Sequence, residues 1–384
     1  MKPISILYVV EYFPPHIGGA ETMFGQAVDE LARRGHEVTV VTIRTIEKAP
    51  RREVRGNVTI HRLPAPESID RYVFMIRALP TVLAKARRAD LIHTAIFTPG
   101  VPSWIASRLL RKPCVITVHD LFLETWERFP GIGRLSMRAH RWFEKTLMRL
   151  PFDHYLPISN FTAARSIRVN GHAGITTVAY PPLDYEFWRP GYAARPLRRE
   201  LGLPDNTFVY LYYGRPGITK GVESLVEAAD LVRRRLPDSR LVMLLSQYPV
   251  ARRKNVLSMI ERRGLGDHII VLPSQPGAQL PSYLLAANAV VVPSISEGFG
   301  YSAVEAATIG AHVICTTGHA TEEVLTGHAT LVPPCDANAL ADAVLGVAEG
   351  RIAKPPVVPP RFTAEAHVDI LESVYQRVLG RAVR

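Results

Sequence analysis

The stretch from Pro293 to Ile309 concentrates residue types that could do chemistry: Pro293-Ser294-Ile295-Ser296-Glu297-Gly298-Phe299-Gly300-Tyr301-Ser302, then Ala-Val-Glu305-Ala-Ala-Thr-Ile309. Two carboxylates, Glu297 and Glu305, frame a Gly-x-Gly turn. Backbone N–H groups of such a turn, and of a helix opening after it, can receive a phosphate, while carboxylates accept hydrogen bonds from sugar or ribose hydroxyls. Nucleotide sugars have both features. Taken alone, the stretch is explained equally well as a tight strand-to-helix connection with two solvated acids.

Three further clusters bear on that choice. Gly214-Arg215-Pro-Gly-Ile-Thr-Lys220-Gly221 places two cations around a Pro-Gly turn; the guanidinium fork matches phosphate and the lysine adds a mobile point charge. Gly18-Gly19-Ala20-Glu21 puts paired glycines where a phosphate could approach the backbone closely at a helix start. It departs from Gly-x-Gly-x-x-Gly, which argues against a nicotinamide or flavin. His119-Asp120 directly follows the apolar run Cys114 to Val118.

The elements that must position these residues follow from hydrophobic periodicity. Ile4 to Val10, His36 to Ile43, Val58 to Leu63, Leu91 to His93, Cys114 to Val118, Asp153 to Ile158 and Thr176 to Tyr180 are predicted strands. The pattern predicts helices over a segment bearing Phe24, Ala27, Val28 and Leu31, over Tyr72 to Arg88, Pro99 to Leu110 and Phe161 to Val169. Pro181 to Pro204, with five prolines, is expected to be an irregular interdomain linker. Beyond it, strands at Phe208 to Tyr213, Leu241 to Leu245, Ile269 to Leu272, Ala289 to Val292, Ala311 to Ile314 and Thr330 to Val332 alternate with helices, including Val222 to Arg235 and one starting near Tyr301. Such alternation implies a second parallel α/β domain. Ala364 to Leu379 is a terminal helix. In open α/β sheets ligands collect beyond the carboxyl ends of the strands, and all four clusters fall there.

A chain of 384 residues with 47% hydrophobic and 21% charged residues fits two globular domains. The formal charge of +11 suits a polyanion, an anionic membrane surface or a phosphorylated substrate. Nucleic acid is disfavoured because the basic residues are dispersed. Cys114, Cys315 and Cys335 are odd in number and far apart, which predicts small, buried, reduced thiols and a cytoplasmic protein, not a disulfide framework or zinc site. Met1 to Val10 is expected to be a strand, not an export signal, and no apolar run approaches the about 18 residues of a membrane span. Between Gly133 and Leu150, five cations alternate with apolar and aromatic residues, so the helix expected over 134–150 either lies on an anionic membrane or packs its apolar stripe inward.

Together, Gly18-Gly19-x-Glu21, His119-Asp120, Ser159, Pro181-Pro182-Leu183-Asp184, Gly214-Arg215 with Lys220-Gly221, and Glu297-Gly-Phe-Gly-x5-Glu305 resemble the retaining GT-B glycosyltransferases of family 4. The resemblance implies an α/β chain of two facing Rossmann-like domains with parallel sheets and an interdomain cleft. Residues 1–182 would form the acceptor domain and 183–362 the nucleotide-sugar domain, with the helix of 363–384 packing back on the first. It implies transfer of a hexose from a UDP- or GDP-linked sugar to a hydroxyl of a saccharide or lipid-linked acceptor. The alternative is a catalytically silent nucleotide-sugar or glycan-binding protein.

By the same resemblance, Arg215 and Lys220 would bind the donor pyrophosphate and stabilise the leaving nucleotide, and Glu305 would hold the ribose. Glu297 and the backbone of Gly298, Phe299, Gly300, Tyr301 and Ser302 would contact the sugar and phosphates. Gly18 and Gly19 would approach the diphosphate, His119 would face the sugar, and Glu21 and Asp120 would lie toward the acceptor. No cofactor is implied, and the chain lacks an Asp-x-Asp; Arg215, Lys220 and helix N-termini can offset diphosphate charge without a metal ion. Tyr301-Ser302, where many relatives carry an aliphatic pair, leave the sugar's identity open.

Overall fold

A computed structural model describes residues 1–45, 49–66, 70–123 and 125–382. It divides into two compact units, Met1–Leu123 with Gly133–Asp184 and Arg361–Arg384, and Glu124–Ile132 with Tyr185–Pro360.

In the first unit, apolar runs form Ser5–Val9 (β1), Glu37–Arg44 (β2), Arg52–Arg55 (β3), Val58–Pro64 (β4), Leu91–Ala95 (β5), Cys114–Val118 (β6) and His154–Pro157 (β7). Among the described residues the sheet order is β3-β4-β2-β1-β5-β6-β7. Only the β3–β4 pairing is antiparallel. The inner strands β5 and β6 and the edge strand β7 are buried at every position, as a sheet covered on both faces requires. The covering helices are Gly19–Arg33 (α1), Asp70–Ala86 (α2), Gly100–Leu110 (α3), Arg134–Met148 (α4) and Asn160–Asn170 (α5), the last capped by Ser159, whose hydroxyl accepts from the Thr162 amide at 3.1 Å.

The second unit has a six-stranded parallel sheet among the described residues. Its strands are Phe208–Gly214 (β8), Ser239–Leu245 (β9), Ile269–Pro273 (β10), Ala289–Val292 (β11), Val313–Thr316 (β12) and Thr330–Val332 (β13), ordered β10-β9-β8-β11-β12-β13. Its helices are Leu197–Glu200 (α6), Val222–Arg235 (α7), Val250–Arg262 (α8), Leu280–Ala286 (α9), Tyr301–Thr308 (α10), Ala320–Leu325 (α11) and Ala337–Ala348 (α12).

The terminal helix Ala364–Ala382 (α13) belongs to the first unit. Val368, Leu371, Val374, Tyr375 and Val378 are buried at helical spacing. The Tyr375 hydroxyl reaches into the interior, 3.0 Å from the Tyr8 hydroxyl and 2.5 Å from Nδ1 of His93. Outside, Arg34 bridges Asp369 at 2.6 Å and Glu372 at 2.8 Å, and Nε2 of His36 lies 2.8 Å from Glu372.

Four expectations need correction. Thr176 to Tyr180 is not a strand; it makes one bridge, Thr176 with Tyr155. The Thr177 and Ala179 amides still donate to the Tyr155 and Pro157 carbonyls at 3.0 and 2.9 Å, but Pro157 has no N–H to return a bond, so the ladder is incomplete. The proline-rich segment contains the helical turn α6, begun by Pro196 where a missing N–H costs nothing. The strand β3 turns antiparallel at the edge, a reversal its short polar sequence did not signal. Cys335 is exposed and left-handed, at φ 59°, whereas Cys114 and Cys315 are buried as expected.

Candidate active site

In the second unit, the carboxyl ends of β8, β11 and β12 lie side by side because these strands are neighbours in the sheet. Each feeds one wall of a single cluster. From β8 the chain enters the loop that carries Arg215 and Lys220 and ends at Gly221, the N-cap of α7. From β11 it enters Pro293 to Gly300, the N-cap of α10. From β12 it reaches His319, the N-cap of α11.

These loops are locked together by main-chain contacts. The Ile295 amide donates to the Thr219 carbonyl at 2.7 Å, and the Ala320 amide to the Glu297 carbonyl at 3.2 Å. Gly221 has φ 61°, and a Cβ there would lie 1.9 Å from the Pro293 carbonyl oxygen. Only glycine satisfies both the left-handed backbone and that approach.

Glu297 sits at the centre. Its Oε1 accepts from Lys220 Nζ at 2.6 Å and from the Ser294 hydroxyl at 2.7 Å. Burial pushes its carboxyl up, but the Lys220 ammonium and both hydrogen bonds outweigh burial and hold it below the usual range. Arg215 is exposed at the same rim. Its carbonyl accepts from the Tyr212 hydroxyl at 3.0 Å, which fixes the backbone and leaves the guanidinium outward.

Glu305 faces a different environment one turn into α10. Burial raises its carboxyl to about 7, against the opposing effects of Tyr213 and Lys220. The Tyr213 hydroxyl lies 2.9 Å from Glu305 Oε2 and 2.6 Å from the Ser302 carbonyl, so its single proton serves one or the other. Phe299 is only 2% exposed and packs edge-on against Tyr301, which leaves its backbone as the part available to a ligand. Tyr301 and Ser302 open the first turn of α10, where N–H groups and the helix dipole favour an anion.

His319 was not anticipated from the sequence. It is 3% exposed, and burial lowers its pKa despite the neighbouring Glu297. The Thr321 amide donates to Nδ1 at 3.4 Å, which places the proton on Nε2. Nε2 then lies 2.9 Å from the Thr316 hydroxyl and 3.2 Å from the Ser294 carbonyl. A neutral imidazole thus holds the backbone of the loop that carries Glu297. Its position just past β12 was the available signal.

The first unit gathers a second group at the carboxyl ends of β1, β5 and β6. Gly18 caps α1, accepting from the amide and hydroxyl of Thr22, both at 2.9 Å, and Gly19 begins the helix. Glu21 is 4% exposed and lies 2.8 Å from Nδ1 of His16. His119 follows β6 with Nδ1 buried and unpartnered, its ring edge-on to Phe97 at 5.6 Å and to Phe24 at 6.4 Å. Burial lowers its pKa to about 4, so the imidazole is neutral. Asp120 accepts from the Leu121 amide at 2.8 Å, which orients the loop.

Phe97 holds φ 76°, a strained backbone for a bulky residue. Strain of this kind collects at functional sites. Beside it lies a cluster that sequence reasoning missed. The Tyr12 hydroxyl donates to Asp70 at 2.7 Å, Arg71 Nε approaches Glu11 at 3.5 Å, and the Tyr12 ring stacks on His16 at 4.6 Å. The Arg71 guanidinium lies over the Tyr12 ring at 5.4 Å, and the carboxylates and guanidinium of this group are of the kind that hydrogen-bond hydroxyls. Among the described residues no group of three or more His, Cys, Asp or Glu side chains could hold a metal ion.

Comparison with known proteins identifies the family and the fold. A family described as "Glycosyl transferases group 1" matches residues 194–354, and a "Glycosyl transferase 4-like domain" matches 18–181. The chain is 27% identical over 321 residues to D-inositol 3-phosphate glycosyltransferase of Pseudarthrobacter chlorophenolicus, covering 78% of this chain and 74% of that protein. Among solved structures, sucrose-phosphate synthase from Thermosynechococcus elongatus superposes with a TM-score of 0.81 at 24% identity, covering 98% of this chain and 100% of that one. Anabaena Alr3699/HepE, solved in complex with UDP-glucose, gives a TM-score of 0.71 at 19% identity, covering 98% of this chain and 99% of that one.

Proposed function

We propose, for a chain that belongs to the family 4, group 1 glycosyltransferases of GT-B fold, that this transferase moves a hexose from a uridine or guanosine diphosphate sugar to a saccharide hydroxyl, with retention and without a metal ion. The observation that carries the reading is the Lys220–Glu297 pair, 2.6 Å apart beside exposed Arg215 and the start of α10. It combines cations for a diphosphate with a carboxylate for sugar hydroxyls at one rim.

In this reading Arg215, Lys220 and the first turn of α10 hold the donor diphosphate, and Glu305 accepts from the ribose hydroxyls. Negative charge grows on the leaving phosphate as the anomeric C–O bond breaks, and cations already in place stabilise that charge. The acceptor oxygen bonds to the anomeric carbon from the same face, and its proton passes to the departing phosphate oxygen. No protein nucleophile is required. His119, neutral with Nδ1 buried, presents Nε2 to a sugar hydroxyl. Glu21 and Asp120 lie toward the acceptor, which the chemistry of the first unit suits to a saccharide. The chain works in the cytoplasm. Among the described residues no helix is long and apolar enough to cross a membrane.

A donor-panel assay tests this reading. Hydrolysis of UDP- or GDP-hexoses, lost in Lys220→Ala and in Glu305→Ala while circular dichroism is unchanged, is the expected result. Donor binding by calorimetry with no product after prolonged incubation would replace the transferase with a binding protein.

A further inference from the structure

We propose that the outward face shared by α2 and α4 docks on an anionic lipid bilayer. The inner side of α4 is committed to the fold: Leu147 and Met148 are buried, and the buried Glu144 carboxylate accepts from the amides of Phe122 at 2.7 Å and Leu123 at 2.9 Å. The outer side is another matter. Leu135 is 83% exposed and Trp142 70% exposed. Seven residues apart, they stand on nearly the same side of the helix. On α2, Ile76 is 71% and Tyr72 50% exposed, one turn apart. The two helices are joined where the Tyr72 hydroxyl donates to Nε2 of His140 at 3.1 Å, while Nδ1 of His140 donates to the Ser136 carbonyl at 2.7 Å.

Large apolar side chains clustered in water mark an interaction surface. Here they are set among exposed Arg77, Arg134, Arg138, Lys145 and Arg149. Glu144 is the one acid in the sequence of α4, and it faces inward, so the outer side is uniformly cationic. Cations around an interfacial tryptophan match lipid headgroups above an acyl boundary. A protein partner would meet the same charge without needing the apolar residues to stand proud of it, and a nucleic acid would leave Leu135 and Ile76 unused.

The consequence for the acceptor rests on the glycosyltransferase reading. Through Glu144, α4 holds the loop that follows His119 and Asp120. A chain seated by this face would therefore take a sugar acceptor presented at the bilayer surface by a lipid anchor.

The test is co-sedimentation of the full chain with vesicles of equimolar phosphatidylglycerol and phosphatidylcholine, against phosphatidylcholine alone. The expected result is at least tenfold stronger partitioning to the anionic vesicles. Arg138→Glu with Lys145→Glu should reduce it by roughly 20-fold or more, since each cation near the headgroups contributes about a factor of five. Trp142→Ser should also weaken it, with donor hydrolysis and melting temperature unchanged in both variants. Equal partitioning of wild type to both vesicles, no loss on charge reversal, or stronger capture by a single-stranded oligonucleotide than by vesicles overturns the proposal. Donor hydrolysis in the absence of lipid reports separately on the transferase reading.

Discussion

Lys220 Nζ and Glu297 Oε1 meet at 2.6 Å across 77 residues of sequence, joining the loop after β8 to the loop after β11. The pair is partly shielded, with side-chain exposures of 30% and 12%. Removing one partner leaves a charge in a poorly solvated place. Lys220→Met should therefore lower turnover by a factor of at least 100 and cost about 1–3 kcal/mol of stability. Glu297→Gln added to it should recover part of the stability but none of the turnover. A double-mutant cycle in denaturant measures the coupling, and additive effects would show that the pair does not act as a unit.

Gly221 is where the fold admits least variation. Gly221→Ala would drive a methyl group to 1.9 Å from the Pro293 carbonyl oxygen and hold alanine at φ 61°. The expected loss is about 2–4 kcal/mol, with a raised donor KM because the loop bearing Glu297 is displaced. A thermal melt and donor kinetics measure both; an unchanged donor KM would mean the loop tolerates the shift.

Glu305 should impose a pH dependence. Its carboxyl is raised from 4.5 to about 7, so the folded chain holds this proton more tightly than the unfolded one. The group's contribution to stability falls as pH rises through that window and is fully lost above it, a deficit on the order of 3 kcal/mol. Glu305→Gln should be more stable than wild type at pH 8 and indistinguishable below pH about 4. Donor KM of the wild type should rise as pH falls below 7, where the carboxylate that accepts from ribose hydroxyls becomes protonated. Urea titrations and donor kinetics across pH 5–8 check both signs.

Tyr375 ties α13 into the first unit through Tyr8 and His93. Tyr375→Phe keeps the packing and leaves those buried groups without their shared partner. The expected cost is about 1–3 kcal/mol with donor KM unchanged. A shift in donor KM would reveal a role in the site, not only in the fold.

Much of this was legible in the chain. Apolar runs ending in glycine loops placed Arg215, Lys220, Glu297 and Glu305 at strand ends, and the helices from Val222 and Tyr301 begin where expected. Less legible were residues whose meaning depends on a neighbour. His319 is one histidine after a short strand until its imidazole is seen between Thr316, Ser294 and Thr321. Tyr12, Asp70 and Arg71 carry no motif, and only the adjacency of the end of β1 to the start of α2 makes them a cluster. The helix of 134–150 packs Leu147 and Met148 inward, as one of its two sequence readings had it, and leaves Leu135 and Trp142 exposed among cations, which local pattern alone did not separate.

The sequence by itself determined the alternation of strand and helix, and the type of residue at each strand's carboxyl end, because hydrophobic period and glycine placement are local properties. The strand order β8-β11-β12 was decided only in three dimensions. Parallel neighbours are joined by long crossovers, so local pattern does not say which ends will adjoin. That order alone brings Lys220, Glu297 and His319 into one cluster and gives two similar glutamates, Glu297 and Glu305, opposite pKa shifts.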